Sequence, residues 1–98
     1  MKNPVTTSRS NHDTRAYVLI DTEPGMSARV VRNLRRRDDV VLADAVNGPH
    51  GVIAVVEGRN ASAVATTILM TIRKLDGVLD LKVYTVVPDH AARTTVSD

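Results

Sequence analysis

Apolar and polar positions change their spacing repeatedly along the chain, and each change marks an element. Ala16 to Ile20 reads AYVLI, a short continuous apolar run closed by Thr22-Glu23-Pro24-Gly25, which predicts a strand and a turn. Met26, Val30 and Leu34, with Val31 beside them, then recur at helical spacing. Ser27 is the expected N-cap, and the helix is expected to end near Arg35 to Asp39. Val40 to Val46 predicts a second strand. Asn47-Gly48-Pro49-His50-Gly51 predicts a hairpin turn, because an Asn-Gly pair readily takes up the positive φ angles that tight turns need. Val52 to Val56, VIAVV, is a third strand rich in β-branched residues. Asn60 is the expected cap of a second helix with a core stripe of Ala61, Val64, Ala65, Ile68, Ile72 and Leu75. Arg73 and Lys74 suit the negative end of its dipole, Gly77 stops it, and Leu79 to Val87 is a fourth strand.

The order is βαββαβ, and it contains an internal echo: LRRRDDVV from Leu34 is similar to IRKLDGVL from Ile72, with Val30 and Ile68 at the same offset. Two right-handed βαβ halves predict an α+β, ferredoxin-like domain: a four-stranded antiparallel sheet in the order 4-1-3-2, with both helices on one face. The other face should then be polar at every second residue. It is not. Tyr17 and Leu19 alternate with Val18 and Ile20, and Ile53 and Val55 with Val52, Ala54 and Val56, so both alternations are apolar. An apolar sheet face of several hundred Å² is rare on a soluble monomer. The expectation is a homodimer formed sheet on sheet, with Tyr17, Leu19, Ile53 and Val55 as candidate seam residues. Periodicity alone leaves open which alternation forms the seam.

Composition narrows the function. The 98 residues make one domain, expected over 15–87 between disordered tails at 1–14 and 88–98. A domain of this size without cysteine has no disulfide or thiolate metal site and tends to gain stability by oligomerising. Thirteen basic and 11 acidic residues leave a net charge of +2, a weak basis for binding nucleic acid directly. With no Phe or Trp and two Tyr, stacking on bases has little to work with. No apolar run approaches the roughly 18 residues of a membrane span, and the first residues hold no secretory core, so a cytoplasmic protein without membrane contact is expected.

Candidate chemistry is sparse. His50 stands at the hairpin tip, while His12 and His90 fall in the tails, a spacing that suits no metal. Arg29, Arg32 and Arg36 share a helical face, with Arg35 and Arg37 alongside, which reads as the solvated side of a helix on a sheet. Asp44 has no partner of the kind that acid–base or nucleophilic catalysis needs, and no phosphate-binding glycine loop is present. No cofactor and no enzymatic activity are expected.

AYVLI with its Pro-Gly turn, the strand ending DAVNGPHG, and IRKLDGV together resemble the effector domain of the leucine-responsive and asparagine-related (Lrp/AsnC) regulators, over about Arg15 to Val87. The resemblance implies dimers that assemble into rings, and a small effector, often an amino acid, bound between dimers near the hairpin. It makes Val46, Asn47, Gly48, Pro49, His50, Gly51, Leu81 and Val83 the candidate effector residues. Two positions depart from the family pattern. Gly51 stands where the family has Asp, and Leu81 and Val83 stand where it often has Thr. The carboxylate that would meet an effector's ammonium is thereby missing, which predicts weak binding of free amino acids.

The expectation is a sensing and assembly domain standing without the helix-turn-helix of complete regulators. An alternative is an interaction module whose effector site has decayed and which joins full-length regulators of this family. A dimeric-barrel enzyme ranks last, since its enclosed cavity would need His or Asn where these strands carry Val, Leu and Ile.

Overall fold

The computed structural model describes residues 14–87. The two tail segments, and with them His12 and His90, lie outside the described residues, except that Thr14 already belongs to the first strand. The elements are β1 (Thr14–Thr22), α1 (Ser27–Leu34), β2 (Val40–Ala45), β3 (Val52–Gly58), α2 (Ala61–Met70), a single 3₁₀ turn (Ile72–Lys74) and β4 (Val78–Thr85). The sheet is fully antiparallel in the order β2-β3-β1-β4, the expected order read from its other edge. The ferredoxin-like fold is as the patterning predicted.

Cross-strand partners point to the same face, so the register sorts every strand residue. Ala16, Val18 and Ile20 of β1 pair with Val56, Ala54 and Val52 of β3, and all six are fully buried beneath the helices. Val30 and Leu34 of α1, Val64 and Ile68 of α2, and Ile72 complete this core. Tyr17, Leu19, Ile53 and Val55 therefore lie together on the opposite, helix-free face.

The structure corrects several local expectations. Met26, not Ser27, caps α1, and it makes no side-chain cap bond. The Ser27 hydroxyl instead pairs with Thr22 Oγ1 at 2.9 Å, so a neighbour on β1 has taken the oxygen that a cap would use. The helix ends as expected, at Leu34 with Arg35 as its C-cap. Asn60 caps α2 as expected, its Oδ1 accepting from the Ala63 amide at 2.8 Å. Ala61 and Ala65, placed on the core stripe by their spacing, are exposed. The second helix ends at Met70 and the 3₁₀ turn at Lys74, with Leu75 as its cap, so Gly77 is not the helix stop that was expected; it makes the turn into β4, with φ +96° and no room for a Cβ, which would stand 2.9 Å from Met26 Cβ.

Candidate functional site

The helix-free sheet face has an apolar centre and a charged rim. At the centre, Tyr17 of β1 stands directly opposite Tyr84 of β4, and Leu42 of β2 opposite Val55 of β3, with Leu19 and Ile53 between them. Tyr17 on the central strand β1 is 43% exposed, and Leu42 and Tyr84 on the two edge strands are 44% and 56% exposed. Arg15 and Glu57, joined by a hydrogen bond of 2.9 Å, hold one end of the rim. Asp21 and Asp80, themselves cross-strand partners, hold the other. Asp44 lies at the β2 edge opposite Ile53, where Arg35 reaches it at 3.1 Å. Arg35 also donates to the Ala43 carbonyl at 3.0 Å, so the outer edge of β2 is partly occupied by its own chain.

The β2–β3 hairpin is the second feature. Its closing bonds run from the Val46 amide to the Gly51 carbonyl, 2.8 Å, and from the Val52 amide to the His50 carbonyl, 2.7 Å. The left-handed residue is Gly51, φ +74°; Gly48 of the Asn-Gly pair does not take a positive φ, so the turn is a longer loop than that pair suggests. Two contacts brace the loop on β1. His50 Nδ1 lies 2.7 Å from Asp21 Oδ1. Gly51 sits on the hydroxyl pair of Thr22 and Ser27, so a Cβ added there would stand 2.7 Å from Thr22 Oγ1. Gly51 is thus required by backbone conformation and by close approach. An aspartate cannot be restored there without moving Thr22, because strain and collision act together.

The hairpin and the two β4 candidates lie on either side of β1, where Ile20 pairs with both Val52, next to Gly51, and Leu81. Val46 to Gly51 belong to the β2 side of the sheet. Leu81 and Val83 lie on β4, the opposite edge, facing the helix layer beside Ile20 and Val18. Leu81 packs partly against the core, and Val83 is 42% exposed. Two shallow, open depressions lie elsewhere, one along β2 from Arg35 to Asp44 and one at residues 36–39, and neither includes the hairpin. Among the described residues no three His, Asp or Glu side chains are grouped to hold a metal.

Sequence reasoning missed the partners of the charged residues. Arg29 pairs with Asp76 at 3.1 Å, and Arg37 and Thr67 both bind Asp39, with Thr67 Oγ1 at 2.8 Å. Burial alone would raise the Asp39 pKa, but the hydrogen bonds from Arg37 and Thr67 outweigh it and hold the carboxyl below its ordinary range. The arginine face is accordingly neutralised in part by its own chain. Arg29–Asp76 and Thr67–Asp39 join distant segments, and no local spacing announces them.

A βαββαβ domain of this kind hosts many unrelated functions, so the fold by itself assigns none. The chain belongs to the Lrp/AsnC ligand binding domain family, whose model matches residues 15–96. Among solved structures it is similar to a hypothetical protein from Pyrococcus horikoshii, at 23% identity and TM-score 0.73, covering 79% of this chain and 93% of that one. It is also similar to AsnC of E. coli, at 16% identity and TM-score 0.75, covering 83% of this chain and 55% of that one. A transcriptional regulator from Neisseria meningitidis, solved as a complex with L-Met, matches at 18% identity and TM-score 0.69, covering 91% of this chain and 56% of that one. At these identities the structures share the fold. No curated protein matches the chain. Among the described residues no helix is long and apolar enough to cross a membrane.

Proposed function

We propose that this chain is a ligand-sensing assembly domain that forms a homodimer through its bare sheet face and takes a small effector beside the β2–β3 hairpin. The observation that carries the reading is the apolar centre of that face, Tyr17, Leu19, Leu42, Ile53, Val55 and Tyr84, ringed by charge. An apolar core inside a polar rim is the anatomy of a protein–protein interface. Equal faces related by a two-fold bring each apolar centre onto the other. The hairpin supplies backbone groups, His50 and Asp21 to an effector held between such dimers. The L-Met complex of the Neisseria regulator supports an amino acid as the chemical class. The crowding at Gly51 supports weak binding of it, since only backbone replaces the missing carboxylate. An interaction module that joins full-length regulators is the second reading, favoured by the same crowding.

Light scattering and calorimetry on the same preparation test both parts. The wild type should be a dimer or larger at micromolar concentration, and Leu19→Asp should give folded monomer, because an unpaired charge buried in the seam costs several kcal/mol. Titration with each of the twenty amino acids should give Kd values in or above the millimolar range, about 4 kcal/mol or less. A stable monomeric wild type removes the assembly reading. A low-micromolar Kd for any amino acid shows that the missing carboxylate does not control the site.

A further inference from the structure

In an antiparallel ladder, alternate residues turn their backbone groups to opposite sides, so one bond fixes the direction of all of them. The Val46 amide donates to the Gly51 carbonyl, and the register runs unbroken from there to Leu42 opposite Val55. Leu42, Asp44 and Val46 therefore direct their N–H and C=O groups at β3, while Ala43 and Ala45 turn theirs outward. β2 is an edge strand, so no further strand of the sheet meets these groups.

One side chain already uses this edge. Arg35 Nε donates to the outward Ala43 carbonyl at 3.0 Å, the distance at which the amide of a neighbouring strand would stand. The same guanidinium reaches Asp44 Oδ1 through Nη2 at 3.1 Å. Arg35 comes from the helix layer, where it caps α1, and Asp44 belongs to the bare face, opposite Ile53. The side chain thus wraps the outside of β2 and holds the place of one residue of a further strand. The shallow depression along Arg35 and Val40 to Asp44 follows this edge.

We propose that the β2 edge docks an extended peptide of another protein, with an acidic side chain opposite Ala43 that Arg35 recognises. A peptide added antiparallel sets one residue opposite Ala43, its N–H and C=O facing those of Ala43. Cross-strand partners point to the same face, and Ala43 faces the helix layer, 2% exposed and paired with the buried Ala54. The side chain of the incoming residue therefore rises on the side from which Arg35 comes. Its N–H takes the Ala43 carbonyl, and Arg35 must leave it. A carboxylate at this position receives the displaced guanidinium in a charge-assisted bond. The preceding peptide residue stands opposite Asp44, which has lost its cation, and a basic side chain there restores the pair. The following one stands opposite Leu42, 44% exposed, and is apolar. The partner is thus an extended segment of pattern basic–acidic–apolar. A second copy of β2 does not supply it: with Ala43 against Ala43, Asp44 meets Leu42 and no acid faces Arg35, and centred on Asp44 the strands set Asp44 against Asp44. The register shift between Val40 and Leu42 ends the regular edge on one side and the hairpin ends it on the other, so the contact is small and belongs with weak, transient interactions.

The test is an NMR titration of the full chain with a capped peptide, Thr-Lys-Glu-Val-Thr, and two analogues, one with Gln for Glu and one N-methylated at Glu. The Glu peptide should shift the amides of Ala43 and Ala45 and the Arg35 Nε–H, and should bind about three- to fivefold more tightly than the Gln analogue, the range of an exposed ion pair. The N-methylated analogue lacks the N–H that the Ala43 carbonyl accepts and should leave β2 unshifted. In Arg35→Ala the Glu and Gln peptides should bind alike, because the group that tells them apart is gone. Equal affinity of the two peptides for the wild type overturns the proposal. So does a preference for Glu that survives in Arg35→Ala, or binding of the N-methylated analogue, either of which reduces the contact to surface charge attraction. Shifts confined to β4 assign strand addition to the other edge and overturn it as well. Absence of shifts along β2 overturns it too, and if Arg35→Ala then forms larger assemblies than the wild type by light scattering, Arg35 guards the edge against other strands instead of recognising one.

Discussion

The two βαβ halves place different surroundings at matching positions. The sequence echo aligns Leu34 with Ile72 and Val30 with Ile68, and all four are buried, so each half contributes the same anchors to one core. The same alignment sets Val31 against Leu69. Val31 is 7% exposed and Leu69 is 52% exposed. It also sets Arg29 against Thr67 and Arg32 against Met70, so the outer side of α1 is cationic where that of α2 is uncharged. The loops that follow differ as well: the first half closes with the hydrogen-bonded carboxylate of Asp39, the second with Gly77 at φ +96°. The anchors needed to build the domain are shared by the halves, and the surfaces that decide its neighbours are not.

The largest expected effect tests the shared part. Leu34→Ala and Ile72→Ala each remove a fully buried side chain and should each cost about 2–5 kcal/mol of stability. Urea unfolding at one fixed protomer concentration measures both, since stability of an assembling protein depends on concentration. Costs within about 1 kcal/mol of each other would show that the halves share the core equally, given the usual spread among core truncations. A cost below about 1 kcal/mol for Ile72 alone would show that the second half packs loosely enough to relax around the gap.

That symmetry was legible in the sequence, and so was the order of elements, because turn signals such as Pro24-Gly25, Asn60 and Gly77 separate runs of clear period. Which face of the sheet stays bare was not. Tyr17, Leu19, Ile53 and Val55 were named from their alternation, but Val18, Ile20, Ala54 and Val56 alternate just as cleanly, and only the packing of the helices tells them apart. The phase of α2 was misread for a related reason. A helix without charged residues has no polar side to mark its exposed one, so Ala61 and Ala65 joined the core stripe on spacing alone. The candidate effector residues divide in the same way. The hairpin Val46 to Gly51 is local and could be read directly. Its bracing by Asp21 and Thr22 of β1 and Ser27 of α1 comes from other elements and could not.

The starts of the two helices offer a smaller contrast. Asn60→Ala removes the acceptor for the Ala63 amide and should cost about 1 kcal/mol. Ser27→Ala removes no cap bond, only one side of the hydroxyl pair with Thr22, and should fall within about 0.5 kcal/mol, the range usual for surface changes. Thermal melts of the two variants separate these values. A larger loss at Ser27 than at Asn60 would mean that the Thr22–Ser27 pair, through its contact with Gly51, holds the hairpin more firmly than a cap holds its helix.

The smallest effect is expected where the halves differ in how they close. Asp39 loses hydration on folding, which alone would raise its pKa, but the Arg37 and Thr67 hydrogen bonds lower it below the reference value of 3.8. A carboxyl whose folded pKa lies below its unfolded one stabilises the fold fully above the unfolded value. That contribution fades as pH falls through the folded value, because the unfolded chain then takes up the proton first. At pH 7 the contribution should be present in full, and it should fade below about pH 4, where free carboxyls protonate. Both Asp39 and Arg37 remain partly open to solvent, so screening limits the amount to about 1 kcal/mol or less. Asp39→Asn cannot titrate. Its urea midpoint should lie below that of the wild type at pH 7, and the gap should narrow toward pH 3. Gly77, at the matching position of the second half, has no titrating side chain, so the acid sensitivity belongs to the first half. A gap that stays constant from pH 7 to pH 3 would mean that Asp39 holds Thr67 by shape and hydrogen bonding alone, with no part played by its charge.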